Sequence, residues 1–261
     1  CEEKFSLVSD AFKSNFDAGD ELGASAAVTV DGKSVVDIWA GSRISTGDEW
    51  REDTIVNVYS TTKTMASICM LMLADRGLID FAKPVRDYWP EFAANGKGEV
   101  LVSHVMSHQT GCSGFPQTIT TAQLYDHDFC ANLLAEMTPW WKPGSAPGYH
   151  AITQGTLQGE LLRRVDGRTL GKFFQEEVAA PLGADFHIGL PSTEYDRVAE
   201  LDPPEKSIDQ IVEVEPDSIA AKTFKSCVLD GTETGTTAWR EAEIPAAGGI
   251  GNARSISRVH S

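Results

Sequence analysis

The apolar positions follow three rhythms along the chain. Over residues 3–18, Phe5, Val8, Phe12 and Phe16 recur at intervals of three and four, which places them on one face of a helix. Residues 24–30 and 34–41 are instead rich in small and β-branched side chains and flank Asp31-Gly32. That pattern predicts a β-hairpin closed by a tight turn. After a polar loop, residues 54–59 read as extended chain leading into Ser60. From Ser60 the period becomes helical: Met65, Ile68, Met72, Cys69 and Leu73 share a face, and Gly77 provides a C-terminal stop.

Residues 84–190 read as helices broken by Gly and Pro. Leu157, Leu161, Leu162 and Val165 form one apolar stripe, and Phe173, Phe174 and Val178 another. Residues 191–245 are rich in Pro, Asp, Glu and Thr with little periodicity. They are expected to run over the surface and shape a pocket rim. Residues 246–252 read as a small-residue turn before a last helix from Ala253, and the chain stops inside that helix. The expected organisation is an incomplete α/β subdomain (1–83 with 246–261), a helical subdomain (84–190) and the excursion (191–245), within one structural domain. The hairpin needs further sheet partners, expected from a longer parent chain.

Composition narrows the function. The 261 residues are 41% hydrophobic and 23% charged, as in globular domains. The formal net charge of -16 repels phosphate backbones and anionic lipid, so neither nucleic acid nor a membrane is an expected partner. No apolar run approaches the ~18 residues of a membrane span. The N-terminal residues show no signal-peptide pattern, and Cys1 is at most a lipidation site left by processing. The five cysteines have long spacings and no Cys-x-x-Cys pair. They read as reduced thiols of a cytoplasmic protein rather than as a zinc site or disulfide framework.

The candidate chemistry lies at Ser60-Thr61-Thr62-Lys63. On a helix, i and i+3 side chains meet on one face. A serine hydroxyl needs a base within hydrogen-bond reach, and lysine becomes one when burial disfavours its ammonium. The helix N-terminus also favours the charge of a tetrahedral intermediate. An N-capping serine followed by a surface lysine would give the same tetrapeptide.

The wider pattern decides between these readings. Val58-Tyr59-Ser60-Thr61-Thr62-Lys63 resembles the nucleophile motif of the class C β-lactamase and penicillin-binding-protein family. In the same order, 102–111 is similar to its "HLLSHTSG" segment and Pro147-Gly148-Tyr149-His150 to its second catalytic segment. Ala247-Gly248-Gly249-Ile250-Gly251 looks like its turn before a late helix. Within the family, the family VIII carboxylesterases match best, because Tyr149-His150-Ala151 stands where β-lactamases carry Tyr-x-Asn. The resemblance implies a β-lactamase/transpeptidase-like α/β (α+β) fold, with an antiparallel sheet flanked by helices and a mostly helical subdomain. It also implies a serine carboxylesterase that cleaves small apolar esters without a cofactor or metal.

In that scheme Ser60 attacks, Lys63 and Tyr149 accept its proton, and Tyr149 returns a proton to the leaving alcohol. Which of the two holds the proton at rest stays open. His150, Ala151 and Trp141 are the candidate substrate contacts, with core packing the alternative for Trp140 and Trp141. The family's third motif, which supplies the second oxyanion-hole N–H, would lie beyond Ser261. A second polypeptide or C-terminal segment is therefore an expected partner. The other readings are a β-lactamase, D-Ala-D-Ala peptidase or acyltransferase on the same scaffold, or a non-catalytic penicillin-recognising module. His104 and His108 have an i, i+4 metal-ligand spacing on an expected helix, but the resemblance makes both structural. His127 and His187 read as packing or surface residues.

Overall fold

The structure, a computed structural model, describes residues 1–44, 47–202 and 215–261. Helix α1 (Ser6–Ala18) ends at Gly19, whose φ of 77° closes it as a left-handed cap. Strands β1 (Gly23–Val30) and β2 (Lys33–Gly41) form the expected hairpin. Asp31 and Gly32 both take positive φ, 49° and 75°, as a turn matching the strand twist requires. Among the described residues β1 pairs only with β2.

Strand β3 (Ile55–Asn57) leads into the site and is followed by helix α2 (Thr62–Asp75). Then come α3 (Val102–Met106), α4 (Thr121–Leu124), α5 (His127–Glu136), α6 (Thr153–Asp166), α7 (Leu170–Phe174) and α8 (Ala180–Leu182). Strands β4 (Phe186–Ile188) and β5 (Val198–Ala199), helices α9 (Ile219–Ser226) and α10 (Thr237–Glu241), strand β6 (Gly249–Gly251) and helix α11 (Ala253–Val259) complete the order.

The strands after the hairpin make a second sheet in the order β4-β6-β3-β5. The β4-β6 and β6-β3 pairs are antiparallel, as expected, and β3 and β5 pair in parallel. The reason is the long connection: β5 returns after the whole helical region, so no tight turn dictates its direction. Residues 246–252 were expected as a turn, and 249–251 instead form the strand between β4 and β3. The hairpin is tied to the rest through α11. Thr29 Oγ1 lies 2.6 Å from Ser257 Oγ, and Arg254 bridges Asp37 at 2.5 Å and Glu52 at 3.0 Å.

The core forms around α2. Met65, Ala66, Cys69, Met70 and Leu73 have no exposed surface, and neither do Leu157, Leu161 and Leu162 of α6 nor Phe173 and Phe174 of α7. The stripes read from sequence are thus the packing faces. The stretch 191–245 is only partly an excursion: Val198, Ala199, Ala221, Trp239 and Ile244 are buried. The short elements there bury single anchors, which periodicity over long windows cannot register. Part of that stretch, 203–214, lies outside the described residues.

Four thiols are sealed in this interior. Burial pushes Cys69 and Cys130 up to about 12, and Cys112 and Cys227 to about 11, whereas Cys1 is exposed. No helix among the described residues is long and apolar enough to cross a membrane.

Helix α6 also buries charge. The Glu160 carboxylate is 2% exposed and takes hydrogen bonds from Arg164 Nε at 2.6 Å, Arg163 Nε at 2.9 Å and His127 Nε2 at 3.1 Å. Burial alone would raise its pKa, but these donors hold it down at about 2. A carboxylate depressed in the folded state stabilises above its unfolded value and loses that contribution as pH falls toward the folded one. The urea midpoint should therefore drop between about pH 4.5 and 2, and Glu160→Gln should remove much of that dependence. Glu160→Ala should cost about 1–3 kcal/mol at pH 7 by removing the buried acceptor that Arg163, Arg164 and His127 share. Urea titrations of the three proteins from pH 2 to 7 check this.

Candidate active site

Ser60 sits on a single 3-10 turn, Tyr59–Thr61, between β3 and α2. Tyr59 before it has φ 42°, a left-handed conformation that costs a bulky residue energy and persists only when its surroundings impose it. The bonds that impose it come from Thr62 and β6. Thr62 Oγ1 donates to the Tyr59 carbonyl at 2.5 Å and accepts from Gly249 N at 2.8 Å, while Val58 N donates to the Gly249 carbonyl at 2.9 Å. The Tyr59 ring packs edge-on to Trp239 at 6.5 Å between centroids. Ser60 is thereby presented at the surface at the mouth of α2, with its side chain free to meet a substrate.

Lys63, one turn on, is 7% exposed. Its ammonium has three donors and uses all of them: Ala151 O at 2.7 Å, Ala246 O at 2.8 Å and Ser60 Oγ at 3.1 Å. Burial lowers its pKa to about 8. Carbonyl oxygens only accept. In the neutral amine they hold the two remaining N–H groups, and the lone pair then points at Ser60 Oγ. The amine is positioned to take the serine proton without rotating.

Tyr149 also reaches Ser60, and its hydroxyl donates to Oγ at 2.7 Å. Its ring lies 5.0 Å from Lys63 Nζ and is 48% exposed. The Tyr149 backbone is fixed by its neighbours. Gly148 N donates to the His108 carbonyl at 2.9 Å and His150 N donates to His108 Nδ1 at 3.0 Å. The His108 ring packs against Tyr149 at 5.1 Å between centroids, tilted by 44°.

His150, expected against substrate, has no exposed surface. Its Nδ1–H donates to the Gly148 carbonyl at 2.5 Å, so Nε2 carries the lone pair and accepts from the Thr110 hydroxyl at 2.6 Å. Burial, with His108 and Lys63 nearby, holds it neutral with a pKa near 4. It braces the tyrosine segment from beneath rather than touching solvent. Ala151 enters the site through its carbonyl on Lys63. Trp141 does face open space, in a cavity beside Tyr149.

Three groups escaped the sequence reading. His108 was placed on a helix with His104, but α3 stops at Met106 and His108 takes φ 60°, so the two do not form an i, i+4 pair. The Ala246 carbonyl has no signature, because a backbone acceptor leaves none. Gly155 is the third: a Cβ there would collide with the backbone of Ala246. Only glycine lets the 245–246 turn lie against α6 and bring that carbonyl to Lys63.

The arrangement of an activated serine, a buried amine and a phenol fits nucleophilic acyl transfer. A family model described as Beta-lactamase matches residues 10–260. The chain is 36% identical to Esterase/beta-lactamase LipL of Mycobacterium tuberculosis (strain ATCC 25618 / H37Rv), over 100% of this chain and 62% of that protein. It therefore spans about three-fifths of that relative's length. A family VIII carboxylesterase structure superposes with TM-score 0.88 and 43% identity, over 97% of this chain and 67% of that one. A penicillin-binding protein homolog from Caulobacter crescentus superposes with TM-score 0.89 and 38% identity, over 99% and 69%.

Gly155→Ala should push the 245–246 turn off α6 and draw Ala246 O away from Lys63. The expected outcome is a loss of about 1–3 kcal/mol of stability and a fall of tenfold or more in the rate at which a serine-directed acylating probe labels Ser60. Denaturant melts and labelling kinetics on the variant check both.

Proposed function

The chain belongs to the beta-lactamase family and has the β-lactamase/transpeptidase-like fold, and on that footing we propose that it is a serine carboxylesterase cleaving small apolar esters through an acyl-serine intermediate. The observation that carries this reading is the convergence of Lys63 Nζ and Tyr149 OH on Ser60 Oγ. In the proposed step, Ser60 Oγ attacks the ester carbonyl carbon while its proton passes to Lys63. The tetrahedral intermediate then collapses, the C–O bond to the alcohol breaks, and Tyr149 delivers its phenolic proton to the departing oxygen. Tyr149 regains a proton from Lys63, and water repeats the sequence to release the acid.

The esterase names of the relatives support this reading. So does Ala151, which offers no side-chain amide for a β-lactam substituent. The printed name of the Mycobacterium relative joins both activities, so a β-lactamase activity is the second reading. The second oxyanion-hole N–H is assigned here to a segment outside this sequence or to another polypeptide. The free cysteines support a cytoplasmic setting for the same protein.

Two outcomes are expected from the full-length chain. With a chromogenic short-chain ester and a chromogenic cephalosporin, Ser60→Ala should lower ester turnover by about a thousandfold or more, and the cephalosporin should be turned over far more slowly than the ester. Equal ester turnover by variant and wild type would sink the nucleophile assignment.

The pH profile tests whether the buried amine must lose its proton before attack. Burial holds Lys63 near 8. If the neutral amine is the base, kcat/KM rises with pH through about 8 and then levels. A kcat/KM that stays flat through that pH would count against proton loss from Lys63 as a step in catalysis. We expect the rise.

A further inference from the structure

Beside Tyr149 lies a cavity of about 310 Å³ that the catalytic groups leave empty. Its walls are Trp141, Tyr149, Ile219 and Phe224, over a floor of Ser113 and Thr223. The side-chain polar atoms of this lining are already committed. Trp141 Nε1 donates to the Ala146 carbonyl at 2.8 Å. Thr223 Oγ1 donates to the Ile219 carbonyl at 2.9 Å, so the 2.6 Å contact between Ser113 and Thr223 is Ser113 donating to Thr223. The Tyr149 hydroxyl is spent on Ser60. No side-chain donor among these residues faces the cavity free, so a polar group entering it would regain little of its lost hydration from the side chains.

We infer that this cavity is the specificity pocket of the ester-cleaving site, that it takes a bulky apolar branch of the ester, and that Ile219 and Phe224 on α9 set which branch fits. The inference rests on the esterase reading above and names a substrate class for it. Three observations carry it. Tyr149 is both a wall of the cavity and the donor to Ser60 Oγ, so a group held there lies one side chain away from the reacting serine. The volume is about twice that of an apolar protein cavity able to hold benzene, which leaves room for an arene or a medium-length chain rather than a methyl group. Helix α9 is anchored, not draped: Ala221, Thr223 and Ser226 are buried, while Ile219 is 38% exposed and forms part of the cavity wall. Those side chains face the cavity on a supported scaffold, which a specificity wall needs.

The shared chemistry is an apolar branch, and it can come from the acid or from the alcohol. Two ester series separate the sources: methyl esters of linear acids of increasing length, and acetate esters of linear alcohols of increasing length. Turnover is followed by acid release in the full-length protein. In one series kcat/KM should climb about fourfold per methylene until the cavity is filled, and it should stay flat in the other. Ile219→Trp, which fills the cavity, should flatten the climbing series. Phe224→Ala, which widens it, should move its maximum to a longer chain. Either variant suffices if the other fails to fold. A climb in the acid series makes this the acyl pocket, and a climb in the alcohol series makes it the alcohol pocket; both support the inference. Two flat series in wild type, or a climb that neither variant alters, would overturn the pocket while leaving the esterase intact. Absence of any turnover that depends on Ser60 would overturn the esterase reading, and the pocket with it.

Discussion

A lysine ammonium that has lost its water must find other partners, and the position of Lys63 makes that requirement organise the molecule. Its two carbonyl acceptors come from residues 88 and 183 positions further along the chain. Helix α2, the tyrosine segment and the 244–248 turn therefore meet at one nitrogen. The same burial that demands these acceptors lowers the pKa of the amine toward neutrality. Structural support and reactivity are here one effect. An exposed lysine at this position would need neither carbonyl, and it would also be a poor base at pH 7.

Ser60 is held by a comparable arrangement at smaller scale. Tyr59 occupies a backbone region that a tyrosine avoids, and the cost is offset by the Thr62 and Gly249 bonds that close around it. Gly249 has no room for a side chain, since a Cβ would stand 2.5 Å from Thr62 Oγ1. Strand β6 is thus short and bare because it must press against the turn that presents Ser60. It works as a clamp more than as a sheet element.

What could be read from the sequence follows from how each feature is encoded. The hairpin was legible because Asp31-Gly32 is a local signal, and the α2 and α6 faces because long helices repeat their pattern. Ser60 and Lys63 were legible because their chemistry lies within one turn. Tyr149 needed the family resemblance, since nothing local links it to residue 60. The polar face of α6 was not legible: Glu160 looks like a surface residue until His127 and Arg164 are seen closing over it. His150 misled in the opposite sense. Adjacency to Tyr149 suggested a pocket residue, yet the bond from His150 Nδ1 to the Gly148 carbonyl turns its ring inward. Residues 191–245 hid Trp239 because one anchor in a five-residue helix has no period to detect, and α9 because two of its three buried positions, Thr223 and Ser226, are polar.

The cysteines have a practical corollary. Of the five, only Cys1 meets solvent, while the other four are buried and held as thiols far above neutral pH. A thiolate is the reactive species, so an alkylating reagent meets one nucleophilic sulfur in the native molecule and five in the open one. Cys1 can carry a dye or a surface linkage without touching the site. The slow appearance of four further adducts then acts as a clock for opening of the core, counting excursions that no activity assay would register.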